Sequence, residues 1–159
     1  MLAFEDSYHG QLRTLVGNRK LILPSTRAII QDQQGRVLLV RRSDNAAWVM
    51  PAGTLELDES VLDCLTREVK EETGLAVVAA TPIAIYSEPR FAFTNAYGGQ
   101  HQMLSIVFRV DVWTGTLTPS TNETSDARFF AFNELPELPA LYHETLVDFQ
   151  RFDGTLIVK

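Results

Sequence analysis

The chain has 159 residues, enough for one domain with a core of its own and short for two. Its apolar fraction of 45% and charged fraction of 21% are ordinary for a globular protein and exclude disordered and fibrous classes. With 20 acidic against 14 basic residues the net charge is -6, which argues against a nucleic-acid polymer held by phosphate neutralisation; a small anionic ligand would need a screening cation.

No apolar run approaches the ~20 residues that span a bilayer, and MLAFEDSYHG lacks the basic start and apolar stretch of a signal peptide. The expectation is a cytoplasmic protein with no membrane partner. Cys64, the single cysteine, has no partner for a disulfide or thiolate cluster and reads as a small buried core thiol.

In chain order, residues 3–16 place Phe4, Tyr8, Leu12 and Leu15 at helical spacing. TRAIIQDQQGRVLLVRR predicts a hairpin with its turn at 32–35 and a second strand on which Val37, Leu39 and Arg41 share a face. Trp48 to Pro51 continues the sheet, and residues 60–73 form a helix. LAVVAATPIAIYSEP, HQMLSIVFRVDVW and RFFAF are rich in β-formers, and Pro139 opens a C-terminal helix, PALYHETLVDFQRF. No repeat or linker divides the chain. Strands gathered around one central helix, with helices flanking the sheet, predict an α+β fold.

The central helix carries the chemistry. Asp58 is the expected N-cap, Glu59 and Ser60 fall in a first turn that favours acids, and Gly74 supplies the left-handed end. At ~100° per residue, Glu68 and Glu72 lie about 40° apart on the stripe of Val61, Leu65 and Val69. Asp63, Thr66, Lys70 and Thr73 make the opposite, solvent-facing side. A charge run is ordinarily a solvated face, with Arg67 and Glu71 a simple i, i+4 pair. Acids beside an apolar stripe instead suffer desolvation and mutual repulsion until a proton or cation relieves them. Three carboxylates at i, i+3 and i+4, offering only oxygen, suit Mg²⁺ or Mn²⁺. His9, His101 and His143 lack zinc-site spacing and read as ordinary surface or core residues.

Gly53, Glu59 and the run REVKEETGL at 67–75 match Gly-x5-Glu-x7-Arg-Glu-U-x-Glu-Glu-x-Gly-U, where U is a bulky aliphatic, and the chain thereby resembles the Nudix hydrolases. The flanks GRVLLVRR, WVMPAG and NETSDARFFAFNELPEL extend the resemblance over most of residues 25–140. It implies a single Nudix domain over 1–159, with 1–22 an N-terminal extension and 53–75 the box. The implied fold is an α/β/α sandwich with a mixed central sheet and a loop-helix-loop motif. The implied activity is metal-dependent hydrolysis of a nucleoside diphosphate linked to another moiety. Carried over by position, Glu68 and Glu72 are metal ligands, Glu71 is a further ligand or the catalytic base, and a carbonyl at Ala52 or Gly53 completes the site. Arg67 and Glu59 pair to hold the loop on the helix. Glu123 in TNETSD is the other candidate base.

PAG within the loop and Pro89 after the box resemble the branch that cleaves ADP-ribose and related sugar nucleotides, whereas YSEPRFAF resembles the Ser-Gln-Pro-aromatic motif of the NADH-cleaving branch. A house-cleaning nucleoside triphosphate pyrophosphohydrolase and a non-catalytic nucleotide sensor stand as alternatives. Tyr86, Phe91, Phe93 and Tyr97 are candidates to stack on a base, and Arg90 to meet phosphate or ribose. Of Arg41 and Arg42 only one can face the site; Arg41 is the candidate. The N-terminal extension is placed as a dimer or lid element, so a homodimer is among the expectations.

Overall fold

The computed structural model describes residues 4–95 and 97–159. After a 3-10 turn at Phe4–Asp6 the elements are α1 (Tyr8–Val16), β1 (Leu21–Ile30), β2 (Val37–Arg42), β3 (Trp48–Val49), β4 (Ala52–Thr54), α2 (Val61–Thr73), β5 (Ala76–Tyr86), β6 (Phe93–Thr94), β7 (Gln100–Thr114), β8 (Thr124–Phe130), α3 (Ala140–Arg151) and β9 (Ile157–Val158). The larger sheet is ordered β4-β1-β7-β5-β9, with β6 also on β7; the smaller is β3-β2-β8. The larger is mixed, since β1 runs parallel to β7 and β5 to β9 while its other pairs are antiparallel.

Strand alternation divides the apolar residues between two cores. Ala28, Ile30, Leu38 and Val40 pack with Leu65 and Val69 of α2, whereas Ile29, Val37 and Leu39 pack on the other side with Leu146 of α3. Burial on both faces explains why AII and VLLV are continuous apolar runs rather than alternating ones. The α+β class with helices on both sides of the strands follows from that division. No helix among the described residues is long and apolar enough to cross a membrane.

Several local expectations are corrected. β1 and β2 do not form a hairpin: a lone bridge, Gln31 to Val37, links them before they enter different sheets. The turn itself is present, with Gly35 at φ 73 and its N–H donating to the Asp32 carbonyl at 3.0 Å. A period-2 pattern reports which face is buried and not which strand lies alongside. The N-cap of α2 is Ser60, in a capping box with Asp63, while Asp58 sits earlier in the loop at φ 64. Glu59 therefore precedes the helix. Thr73 is buried, and its hydroxyl is satisfied there by donating to the Val69 carbonyl and accepting from Leu75 N–H. Of the segment expected as helix 3–16, Ala3 lies outside the described residues and Phe4 belongs to the 3-10 turn; α1 starts only after Ser7, whose hydroxyl accepts from Gly10 N–H. The short strands β6 and β9, absent from the sequence reading, exist only as additions to β7 and β5.

Candidate active site

About one helix turn apart, Glu68 and Glu72 lie on the buried stripe of α2, and they are 8% and 2% exposed. Strand β4 runs against them: Ala52 N–H donates to Glu72 Oε2 at 3.0 Å, and Gly53 lies so close that a Cβ there would fall 1.9 Å from the Glu68 carboxyl carbon. Glu123 arrives from the loop immediately before β8, where its carbonyl accepts from Ser43 N–H at 2.9 Å. The next residue, Thr124, donates its hydroxyl to the Glu72 carbonyl at 3.2 Å. One carboxylate oxygen each from Glu68, Glu72 and Glu123 lie within 4.8 Å of one another.

Burial, opposed by the Arg67 guanidinium, pushes Glu68 up to about 7. Burial and the nearby Glu68 charge push Glu72 up to about 8, against the Ala52 N–H. Two buried acids joined by the exposed Glu123 make a cluster whose mutual repulsion a cation relieves. The donor set is all oxygen, and the glycine at 53 leaves the space that the Glu68 carboxylate occupies, so these residues fit a hard divalent ion. Cys64 beneath them is buried, and burial raises its thiol to about 11, so it stays a protonated core residue.

Arg67 organises the rest. It donates to both oxygens of Glu59 (2.5 and 3.0 Å), to Glu68 Oε1 at 2.7 Å, to Glu71 Oε2 at 3.2 Å and to the Thr54 carbonyl at 3.1 Å. Glu59 Oε2 also accepts from Glu56 N–H at 3.0 Å. One guanidinium thus fastens the loop to the helix and orients the Glu68 carboxylate; with so many acids around it, its pKa is raised.

The acidic cluster lines a cleft of about 700 Å³, together with Gly53 and Glu71. Arg41 does not line it. A register shift against β8 falls between Arg41 and Arg42. Arg41 consequently turns to the Ala46 carbonyl at 3.2 Å, whereas Arg42 reaches the cleft, clasped by Asp44 at 2.8 and 2.9 Å. Arg90 and Phe91 are also elsewhere: Arg90 binds Glu144 through two nitrogens, both at 2.8 Å, and Phe91 is buried in the α3-side core beside Tyr86. The salt bridges to α3 explain why that loop faces away. Tyr97 is exposed, and Phe93 stacks on His101. Missing from the sequence reading were Phe4, Ser7 and His9 from the N-terminal segment, and Asp44, Glu56 and Asn122. Nothing local marks them, since distant docking brings them to the cleft.

A family model described as NUDIX domain matches residues 22–149. The chain belongs to the Nudix family. Among similar proteins, an ADP-ribose pyrophosphatase of Methanocaldococcus jannaschii is 30% identical over 126 residues, covering 77% of this chain and 70% of that protein. An NAD-capped RNA hydrolase, NudC, of Vibrio cholerae is 32% identical over 136 residues; the match covers 80% of this Nudix chain but only 46% of the relative. Among solved structures, an ADP-ribose pyrophosphatase of Streptococcus suis superposes with a TM-score of 0.63 at 27% identity, covering 86% of this chain and 98% of that one. This Nudix chain is therefore a pyrophosphohydrolase whose box residues 53–75 form the loop and helix just described.

Proposed function

We propose that the protein cleaves the pyrophosphate of a nucleoside diphosphate linked to a second moiety, with ADP-ribose or a related sugar nucleotide as substrate and Mg²⁺ or Mn²⁺ as cofactor. The observation that carries this reading is the convergence of Glu68, Glu72 and Glu123 in the lining of a cleft of about 700 Å³, a volume suited to a nucleotide-sized ligand. The names of the Methanocaldococcus and Streptococcus relatives support ADP-ribose.

Glu68 and Glu72, with the carbonyl of Ala52 or Gly53, would hold the cation, which when bound neutralises diphosphate oxygens and lowers the pKa of a water. Arg67 keeps the Glu68 carboxylate turned to the cluster. Arg42 offers a second cationic group to a phosphate in the cleft. Glu123 takes the proton of the attacking water as its oxygen bonds to phosphorus and the bridging P–O bond breaks, giving two phosphate monoesters. Glu71, whose carboxylate accepts from Arg67, acts as a positioning residue through that guanidinium.

A substrate panel tests this: ADP-ribose, sugar nucleotides, NADH, dinucleoside polyphosphates and oxidised nucleoside triphosphates, each with Mg²⁺ and with products resolved. The expected result is ADP-ribose cleavage to AMP and ribose 5-phosphate, with Glu123→Gln lowering kcat by about 10²–10⁴-fold and Glu71→Gln by less. Turnover confined to oxidised triphosphates would replace the substrate assignment, and turnover of nothing in the panel would remove it.

A further inference from the structure

The cleft has a wall that the phosphate chemistry leaves unused. Phe4, Ser7 and His9, from the segment ahead of the sheet, line the same cavity as the three acids. Phe4 is 59% exposed, and its ring meets His9 edge to face at 5.2 Å. Behind them the rings continue: His9 meets His101 edge to face at 5.0 Å, and His101 stacks on Phe93 at 4.8 Å with 9° between planes. Arg13 pins the group, donating to His9 Nε2 at 3.2 Å and to the Gln100 carbonyl at 2.7 Å, with its Nη2 3.3 Å from His101 Nε2.

These rings are uncharged near neutrality. Burial, with Arg13 beside them, holds both imidazoles below their ordinary range, His101 at about 4. His9 Nε2 accepts from Arg13, so its Nδ1 carries the hydrogen. A neutral aromatic surface beside an acidic, cation-seeking one offers a flat π-system what it does not offer a phosphate.

The wall is held at a fixed offset from the acids. Tyr8 N–H donates to Glu56 Oε2 at 2.7 Å, and Glu56 N–H in turn to Glu59, the partner of Arg67. Gly10 is required for the packing, since a Cβ on it would lie 1.8 Å from the Phe4 carbonyl oxygen.

We infer that Phe4 and His9 form the surface on which the nucleobase of the substrate lies, making α1 and the turn before it a specificity element for the nucleoside half. The inference rests on the nucleotide-cleaving reading above, and adds which lining residues take the base.

The test uses etheno-AMP, whose fluorescence is quenched on stacking, titrated into the full chain with Mg²⁺, together with kcat and KM for ADP-ribose. Phe4→Ala should weaken etheno-AMP binding and raise KM by about tenfold, the scale of one lost base–aromatic stack. Phe4→Trp should restore both. Gly10→Ala, whose side chain lies under the Phe4 turn, should reproduce the loss by displacing that turn. Ribose 5-phosphate, which has no base, should lose much less affinity in the same variants. Equal etheno-AMP binding by wild type, Phe4→Ala and Gly10→Ala would overturn the inference, as would absence of etheno-AMP binding to wild type. The two readings separate cleanly. ADP-ribose cleavage with an unchanged KM in Phe4→Ala leaves the hydrolase reading and removes the base wall. Phe4-dependent quenching without turnover of any nucleoside diphosphate does the reverse.

Discussion

Gly53→Ala probes how closely the loop and helix must approach for the acids to meet. A Cβ on residue 53 would lie 1.9 Å from both the carboxyl carbon and one oxygen of Glu68, and 2.4 Å from the other oxygen. Ordinary contact starts near 3.4 Å, so the carboxylate must retreat by about 1.5 Å. The backbone has no reason to resist, because residue 53 has no positive φ and β4 pairs with β1 through main-chain groups. The whole displacement therefore falls on Glu68, which leaves the cluster with Glu72 and Glu123 and loses its 2.7 Å bond from Arg67. Misplacement of a catalytic constellation by about 1 Å costs on the order of 10²-fold in rate. We expect kcat/KM for ADP-ribose to fall at least that far, with Mn²⁺ affinity, followed by electron paramagnetic resonance, falling alongside. The melting temperature should move only a few degrees, because moving a carboxylate whose burial is unfavourable costs the fold little. Activity within about threefold of wild type would refute the view that this glycine exists to admit Glu68.

Three other outcomes are expected. In chelator, thermal stability should decline as pH rises from about 5 to about 9. Glu68 and Glu72 titrate at about 7 and about 8 in the fold, above the ordinary carboxyl range, so the folded state holds their protons more tightly than the unfolded chain does. Their favourable contribution is complete below the unfolded pKa and is lost as pH climbs through the folded one. Added Mg²⁺ should restore stability increasingly at high pH, since it binds the deprotonated acids; a flat or rising melting curve over that range in chelator would contradict the burial argument. Glu72→Gln should lower Mg²⁺-dependent turnover by on the order of 10³-fold while leaving the circular dichroism spectrum intact and raising the melting temperature in chelator near pH 8.5; near wild-type rates would remove Glu72 from the site. Cys64, with its thiol raised to about 11 and buried, should react with a thiol reagent at pH 8 only on unfolding, and rapid labelling of native protein would show that the loop opens.

The helical phase of Glu68 and Glu72 was legible because 3.6-residue periodicity is local: once α2 forms, both acids must share a face with Leu65 and Val69. The box spacing likewise picked out Gly53, Glu59 and Arg67, and the structure packs Gly53 against Glu68 and ties Arg67 to Glu59, Glu68 and Glu71. Less was legible where the governing interaction is distant. Asp58 and Ser60 are both good caps by composition, and only the backbone at Asp58, φ 64, with the reciprocal Ser60–Asp63 bonds decides between them. Arg41 and Arg42 differ by one residue, and the bulge that turns Arg42 to the cleft belongs to pairing with β8, far along the chain.

What the sequence determined by itself was therefore the chemistry: an oxygen-only donor set on a buried stripe, in a single α+β chain, with the spacing of a known box. What the tertiary structure alone decided was the company those acids keep. Arg90 and Phe91 look equipped for a nucleotide yet are tied to α3, whereas Phe4 and His9, unremarkable in sequence, reach the cleft because α1 docks through Tyr8 to Glu56 and through Arg13 to Gln100. Hydrophobic phase is a property of a few neighbouring residues, but docking is set by hydrogen bonds between segments dozens of positions apart, and no window of sequence contains both partners.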